Sequence, residues 1–234
     1  MDTGRFRNRA AAGRALAEAL STRQFLDPVV LALPRGGVPV AAEVAVALGA
    51  ALDLIFVRKI GAPHQKEWAA AAIVDDGAPQ IVVNDASIVS GGATQAQIDA
   101  QAPFELGEIE RQRAIYLADR PRVPLDGRVL IVVDDGIATG TTVRAALVAL
   151  RRRSPSRLVL AVPVAPVDVV EELRPSVDDL ICLKAPKLLE SVGAHYDDFS
   201  QVSDREVVRR LAAVDAAYRS RQAAKRPDER RARS

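Results

Sequence analysis

RVLIVVDDGIATGTTVR, Arg128 to Arg144, is the stretch whose reading decides the fold. Leu130 to Val133 form a short apolar run of the kind that a strand buried on both faces requires. Asp134 and Asp135 follow it directly. Gly136 to Thr142 are rich in Gly and Thr, and Val143 to Leu150 read as a helix, so the loop delivers backbone N–H groups to a helix N-terminus, an anion site. The two carboxylates stand at the carboxyl end of a strand, where open α/β sheets bind ligands, and they accept hydrogen bonds from hydroxyls. Hydroxyls at one end and phosphate at the other describe a ribose 5-phosphate. A plainer reading remains, in which these Asp and Thr residues only cap the helix. A Walker-type loop is excluded because no GxxxxGK[ST] occurs, and the first strand is not followed by GxGxxG, which argues against a dinucleotide fold.

A second loop of the same kind lies upstream. Val29 to Leu33 read as the first strand, Pro34-Arg35-Gly36-Gly37 follow, and a helix is expected from about Val38 to Leu48. Two glycines permit backbone geometry closed to other residues, converging N–H groups make an anion nest, and Arg35 adds a forked cation. Leu52 to Val57 read as another buried strand closing on Arg58 and Lys59, whose charges suit a pyrophosphate at the same sheet edge. Taken alone, a glycine turn after a strand or a pair of solvated edge cations is an equally ordinary reading.

The Arg128 to Arg144 stretch resembles the 5-phosphoribosyl pyrophosphate (PRPP) signature of type I phosphoribosyltransferases, an apolar strand, two acidic residues and a T-G-x-T loop. The spacing of FRNRAAAGRALAEAL, LALPRGGVPVAAEVA, VRKIGAP and VGAHYDDFSQVSD is similar to a bacterial subgroup of that family over about residues 5 to 212. The resemblance implies transfer of 5-phosphoribosyl from Mg-bound PRPP to a nitrogenous base with release of pyrophosphate, as in nucleotide salvage. It implies that Asp134 and Asp135 hold the ribose hydroxyls and, through water, Mg²⁺. Gly136, Ala138, Thr139, Gly140, Thr141 and Thr142 would then cradle the 5-phosphate, and Arg35, Gly36, Gly37, Arg58 and Lys59 the pyrophosphate. A cis Pro34–Arg35 bond is expected in that loop. His64, Lys66 and Glu67, in GAPHQKEWAA (61–70), fall where the family has a mobile catalytic loop; with Asp134, Asp135 and Lys59, Glu67 is a candidate for catalysis. Ile137, His195, Tyr196 and Phe199 are candidates for reading the base, the last three within a hood over about 184–203. Docking of the last helix is the competing role for the aromatics. His195 and Asp197 alone do not make a metal site. The 6-oxopurine enzymes typically carry Asp at the third position after the acidic pair; Ala138 stands there, which disfavours hypoxanthine or guanine.

The remaining chain completes the alternation. An amphipathic helix is expected over Asp2 to Leu20. Ala71 to Val74 and Gln80 to Val83 form a hairpin around Asp75-Asp76-Gly77, and two helical pieces within Ser90 to Ala118 are separated by Pro103. Strands are expected at Arg157 to Val164 and Asp179 to Leu183, with helices from Pro166 and over Asp204 to Tyr218. Alternating strands and helices imply a doubly wound, mainly parallel α/β sheet flanked by helices, with a small C-terminal hood and a loop hairpin.

With 234 residues the chain suits one domain over residues 1–218. Residues 219–234 carry a net charge of +5, which leaves the first 218 residues at −3 against a total of +2. The body is therefore not a nucleic-acid surface, and the tail is expected to be a disordered, solvated end. Cys182 is the only cysteine, which rules out an intrachain disulfide and suits a reducing compartment. MDTGRFRNRA lacks the apolar core of a signal peptide, and no long apolar run occurs, so a cytoplasmic location and no membrane partner are expected. The implied partners are PRPP, a nucleobase-like molecule and a second copy of the chain as a homodimer. A regulator that keeps the PRPP site as a sensor is the alternative function, and a phosphatase or kinase is disfavoured by the missing DxD nucleophile and phosphate-loop lysine.

Overall fold

The computed structural model describes residues 4–62, 65–76, 79–83, 94–118 and 120–231. Five parallel strands make the central sheet in the order β2-β1-β6-β7-β8: β1 Pro28–Ala32, β2 Ala51–Leu54, β6 Val129–Val133, β7 Arg157–Val164 and β8 Asp179–Lys184. A second sheet holds β3 Phe56–Ala62, β4 Gln65–Asp75 and β5 Pro79–Val83 in antiparallel order. The helices are α1 Arg9–Ser21, α2 Gly37–Leu48, α3 Gln95–Tyr116, α4 Thr141–Arg151, α5 Val167–Leu173 and α6 Asp204–Arg231. Within the described residues, no helix is long and apolar enough to cross a membrane.

Every residue of β6 is buried, as an apolar run in a strand covered on both faces demands. Successive side chains go to opposite cores. Ile131 and Val133 join Leu16 and Leu20 of α1, Val40 and Val44 of α2, Ile109 of α3 and Leu211 of α6. Leu130 and Val132 join Val143 and Leu147 of α4 and Leu173 of α5. The sheet is thus doubly wound. Helix α1 lies on α2 so closely that a side chain on Gly13 would put its Cβ 2.6 Å from the Val40 carbonyl oxygen.

The structure departs from the sequence expectations at several places. The strand expected over Leu52 to Val57 is divided: β2 ends at Leu54, the N–H of Ile55 donates to Ala32 O at 3.1 Å, and β3 then leaves for the antiparallel sheet. Arg58 and Lys59 therefore pair with Ile73 and Ala72 inside a hairpin and do not close a parallel strand. The loop expected over 61–70 is strand at both ends, to Ala62 and again from Gln65. Pro103 does not divide its segment, because α3 is one 22-residue helix. The proline is on the exposed side, where water reaches the carbonyl it frees, while Ile98, Ala102 and Ile109 bury the opposite face. Finally, α6 continues to Arg231, past the Tyr218 end expected for it and into the tail expected to be disordered.

Three carboxylates fasten the antiparallel sheet to the body. Asp75, buried, takes Arg113 of α3 at 2.7 Å; Asp76 takes Nε and NH2 of Arg153, just beyond α4; Glu105 of α3 takes Arg58 of β3 at 2.7 Å. Gly13→Ala should destabilise the protein by about 1–3 kcal/mol, since the clash is with a backbone carbonyl that cannot turn aside. A urea-denaturation midpoint equal to that of the parent would contradict the close α1–α2 contact.

Candidate active site

Strands β1 and β6 are hydrogen-bonded neighbours, Ala32 beside Val133, so the loops that follow them leave the sheet together. The Leu33 N–H donates to Val133 O at 3.1 Å, and the Pro34–Arg35 bond is cis, as the resemblance implied. Gly36 and Gly37 then lie flush against the acidic pair. A Cβ on Gly36 would overlap the Asp135 carboxylate, and one on Gly37 would stand 2.8 Å from Val133 O and 3.0 Å from Asp134 Cα. Glycine is required here by closeness, since no side chain fits between the two loops.

Asp134 is held within the loop, its Oδ1 accepting from the Asp135 N–H at 2.8 Å. Burial raises its pKa well above the usual carboxylate range, and the Asp135 charge adds to the effect. Burial also raises Asp135, against an opposing pull from Arg9. That arginine was not singled out by the sequence. Its Nε donates to Asp135 Oδ2 at 2.6 Å, its NH1 to Ser200 O at 2.7 Å, and its guanidinium carbon sits 3.8 Å from the centre of the Phe199 ring. Only 11% of the Arg9 side chain and 14% of Asp135 is exposed, so this is a nearly buried ion pair.

The Arg9 position is fixed by the extended segment ahead of α1. Phe6 N–H donates to His195 O, while Asp197 N–H and Asp198 N–H donate to the carbonyls of Phe6 and Arg7. Asn8 then caps α1, accepting from the Ala11 N–H at 2.9 Å. Tyr196 is buried between Phe6 and Phe199, and its hydroxyl donates to Asp135 O at 2.5 Å. No spacing rule in the sequence announces this pairing of residues 6–9 with 195–200. The arginine-rich FRNR ahead of a capped helix was its one visible sign.

Beyond the acidic pair, Ile137 is buried and its N–H donates to Val164 O at 2.9 Å. Thr139 and Thr141 bring their hydroxyl oxygens within 3.3 Å on the exposed side of the turn. Gly140 is the N-cap of α4, with φ 74°, and no side chain caps the helix. The capping role offered by the plainer reading is therefore not taken by Asp134, Asp135 or the threonines, and no side chain caps the amino end of α4.

These parts enclose a cleft of about 510 Å³, walled by Arg9, Arg35, Asp134, Asp135, Thr142 and Phe199. Among the base-reading candidates, Phe199 lines this cleft, whereas Tyr196 and Ile137 are buried and are not among its lining residues. His195 contributes its backbone carbonyl to Phe6. Arg35 NH1 lies 3.5 Å from Asp204 Oδ1, to which Tyr116 also donates at 2.6 Å. Arg58 is engaged by Glu105, and Lys59 follows it on β3. His64 lies outside the described residues, as do the side chains of Lys66 and Glu67. Among the described residues no three His, Cys, Asp or Glu side chains gather as a metal cage.

Residues 5–194 match the family described as phosphoribosyl transferase domain. Two proteins of Mycobacterium tuberculosis, from strain CDC 1551 / Oshkosh and strain H37Rv, are 44% identical over 214 residues, 92% of this chain; the second bears the name "Putative phosphoribosyl transferase Rv0571c". The chain spans 47% of the length of these relatives. The crystal structure of TT1426 from Thermus thermophilus superposes with a TM-score of 0.76 at 39% identity, covering 88% of this chain and 97% of that one.

Two outcomes follow from the electrostatics. Arg9→Ala leaves Asp135 nearly buried with no cation, and should cost about 3 kcal/mol at neutral pH in a urea titration; a loss within error of zero would show that the pair is not a structural clamp. For Asp134, a raised folded-state pKa means that the folded protein holds the proton more tightly than the unfolded chain. Stability is then lost as pH rises from the usual carboxylate range through the raised value. Asp134→Asn should therefore unfold at higher urea than the parent at neutral pH, with the difference closing as pH falls to about 4. A gain that persists unchanged at low pH would have another cause.

Proposed function

The chain belongs to the phosphoribosyl transferase domain family, and we propose that it transfers 5-phosphoribosyl from Mg-bound PRPP to a nitrogenous base with release of pyrophosphate. One observation carries the reading. The loop expected to take pyrophosphate and the acidic pair expected to take ribose were singled out about a hundred residues apart, and they meet in one cleft with no room for a side chain between them. Thr142 and the uncapped end of α4 complete the same cleft.

In this reading the ribose hydroxyls donate to Asp134 and Asp135, and the 5-phosphate takes the N–H groups and hydroxyls of the 138–142 loop. Asp135 is kept in place by Arg9, and Tyr196 holds the backbone carbonyl of the same residue. The donor set fits Mg²⁺: two adjacent carboxylates, with no third protein ligand among the described residues, suit an ion that keeps its waters and binds chiefly through substrate phosphates. Asp134 and Asp135 would hold the ion through water, and when bound it would supply positive charge to offset that of the departing pyrophosphate. Arg35 stands at the mouth of the PRGG loop and supplies protein charge to that same group. Arg58, tied to Glu105, has first to give up its partner. A ring nitrogen then forms a bond to C1 as the bond to pyrophosphate breaks, and no protein nucleophile is required. Phe199 and Val57 are among the apolar cleft residues, with Leu33, Pro34 and Val202, and Ala138 disfavours a 6-oxopurine.

A turnover screen with PRPP, Mg²⁺ and a panel of purine and pyrimidine bases, following pyrophosphate, tests this. Base-dependent release should fall by at least about 100-fold in Asp134→Asn/Asp135→Asn. Binding of PRPP with no release for any base would leave a PRPP sensor, and an absence of PRPP binding would remove the assignment.

A further inference from the structure

A larger cavity lies at the other end of the sheet. It measures about 630 Å³ and is walled by the start of β2, residues 120–124 on the way to β6, and the middle of α6. That volume is in the range of small-molecule pockets. The catalytic cleft opens at the carboxyl ends of β1 and β6, whereas Ala51, Leu52 and Arg128 place this cavity at the amino ends, so the length of a five-residue strand, roughly 15 Å, separates them.

Its walls are built and charged. Arg120 is held in the wall: its Nε and NH2 grip both oxygens of Asp215 at 2.7 and 2.6 Å, and NH2 also reaches Leu52 O at 3.0 Å. Asp53, half-buried behind the wall, accepts from Val123 N–H at 3.2 Å and so holds the segment to the edge of β2. Arg122, Arg128 and Arg219 also line the space, so among the described lining residues four arginines stand against one carboxylate, Asp215. Arg120, Arg122, Arg128 and Asp215 fall within the first 218 residues, whose charges sum to −3, so the arginines are a local concentration. Arg128 is shared with Asp27 through Nε, and its NH2 is buried with no hydrogen-bond partner, an unmet donor beside the cavity. Tyr218 and Pro121 add flat apolar surface next to the cations.

We propose that this cavity is a second ligand site, for a phosphorylated small molecule with a flat apolar portion, the phosphate held by Arg122 and Arg219 and the ring laid against Tyr218. Guanidinium forks match phosphate oxygens, and an aromatic face beside them matches a ring. The elements that wall the site also reach the cleft. Helix α6 carries Tyr218 and Arg219 here and Asp204, the partner of Arg35, at its start; β6 begins beside Arg128 and ends just before Asp134. Occupancy at one end therefore bears on elements that position the other.

Calorimetric titration tests the site, with adenosine 5′-monophosphate as the probe that has a ring and inorganic tripolyphosphate as the probe that lacks one. The parent should show a class of sites that Arg122→Ala/Arg219→Ala loses, each arginine accounting for about a tenfold change or more. Arg122→Ala alone, at an exposed position, serves if the double variant does not fold. Arg144→Ala/Arg174→Ala removes the same charge from another surface and should leave this class intact. Tyr218→Ala should weaken the nucleotide and spare tripolyphosphate. Unchanged binding in the cavity variant, an equal loss in the charge control, equal effects of Tyr218→Ala on both probes, or no binding by the parent would each overturn the proposal. None of these readings depends on turnover in the cleft, so the outcome stands apart from the transferase assignment.

Discussion

Two carboxylates placed at the buried end of a central strand are an expensive arrangement, and much of the surrounding structure follows from making it tolerable. Charge taken out of water has to be paired, hydrogen-bonded or neutralised by a proton. Asp134 is answered within its own turn, by the Asp135 N–H, and by a raised pKa. Asp135 is answered from more than a hundred residues away, by Arg9. Because Arg9 stands at the first residue of α1, holding it requires the preceding segment to be fixed, and that is done by backbone pairing of Phe6 and Arg7 with residues 195–198. Chain ends are ordinarily the least ordered parts of a domain. Here the amino-terminal segment belongs to the support of the cleft.

The same requirement explains the glycines opposite. Backbone, unlike most side chains, approaches a carboxylate without adding bulk, and Gly36 and Gly37 allow the loop after β1 to close over the pair. Only a parallel pairing of β1 with β6 makes the two loops emerge side by side, so the sheet order and the composition of the loops are one constraint seen twice.

What was legible in the sequence was what depends on local physics. A continuous apolar run followed by acids and a Gly/Thr turn determines strand, loop and helix within a single short stretch, and β1 with its glycine loop reads in the same way. The misreadings arise where distant contacts decide. Nothing local to Leu52–Val57 says that the chain changes sheets at Ile55; the run is mostly apolar on both sides of it, and the break is set by pairing of Ile55 with Ala32 and of Phe56 with Asp75. Pro103 is a correct breaker signal outweighed by burial of the helix face opposite it. Tyr196 and Phe199 look alike in sequence, yet one hydrogen bond to Asp135 O takes Tyr196 into the support and leaves Phe199 on the wall. Arg9 was invisible because its partner is 126 residues away.

The arginines around the cleft are all held by carboxylates, and the strength of each pairing sorts their roles. Arg9 and Asp135 are nearly buried at 2.6 Å, with a further bond from Arg9 to Ser200, so separating them leaves an uncompensated charge and is costly. Arg58 and Glu105 are close, at 2.7 Å, but Arg58 is 35% exposed, so water softens its release. Arg35 and Asp204 meet at 3.5 Å with each side chain 38% exposed, a pairing worth about 0–1 kcal/mol. Asp204 also keeps the Tyr116 hydroxyl when Arg35 leaves, so no acceptor is stranded. Arg35 is thus the most loosely held of the three, Arg58 is tied to α3, and Arg9 is the most firmly fixed. Arg9, beside the acidic pair, is for that reason a part of the scaffold, whereas Arg35, exposed and weakly paired, is free to change partner without stranding Asp204.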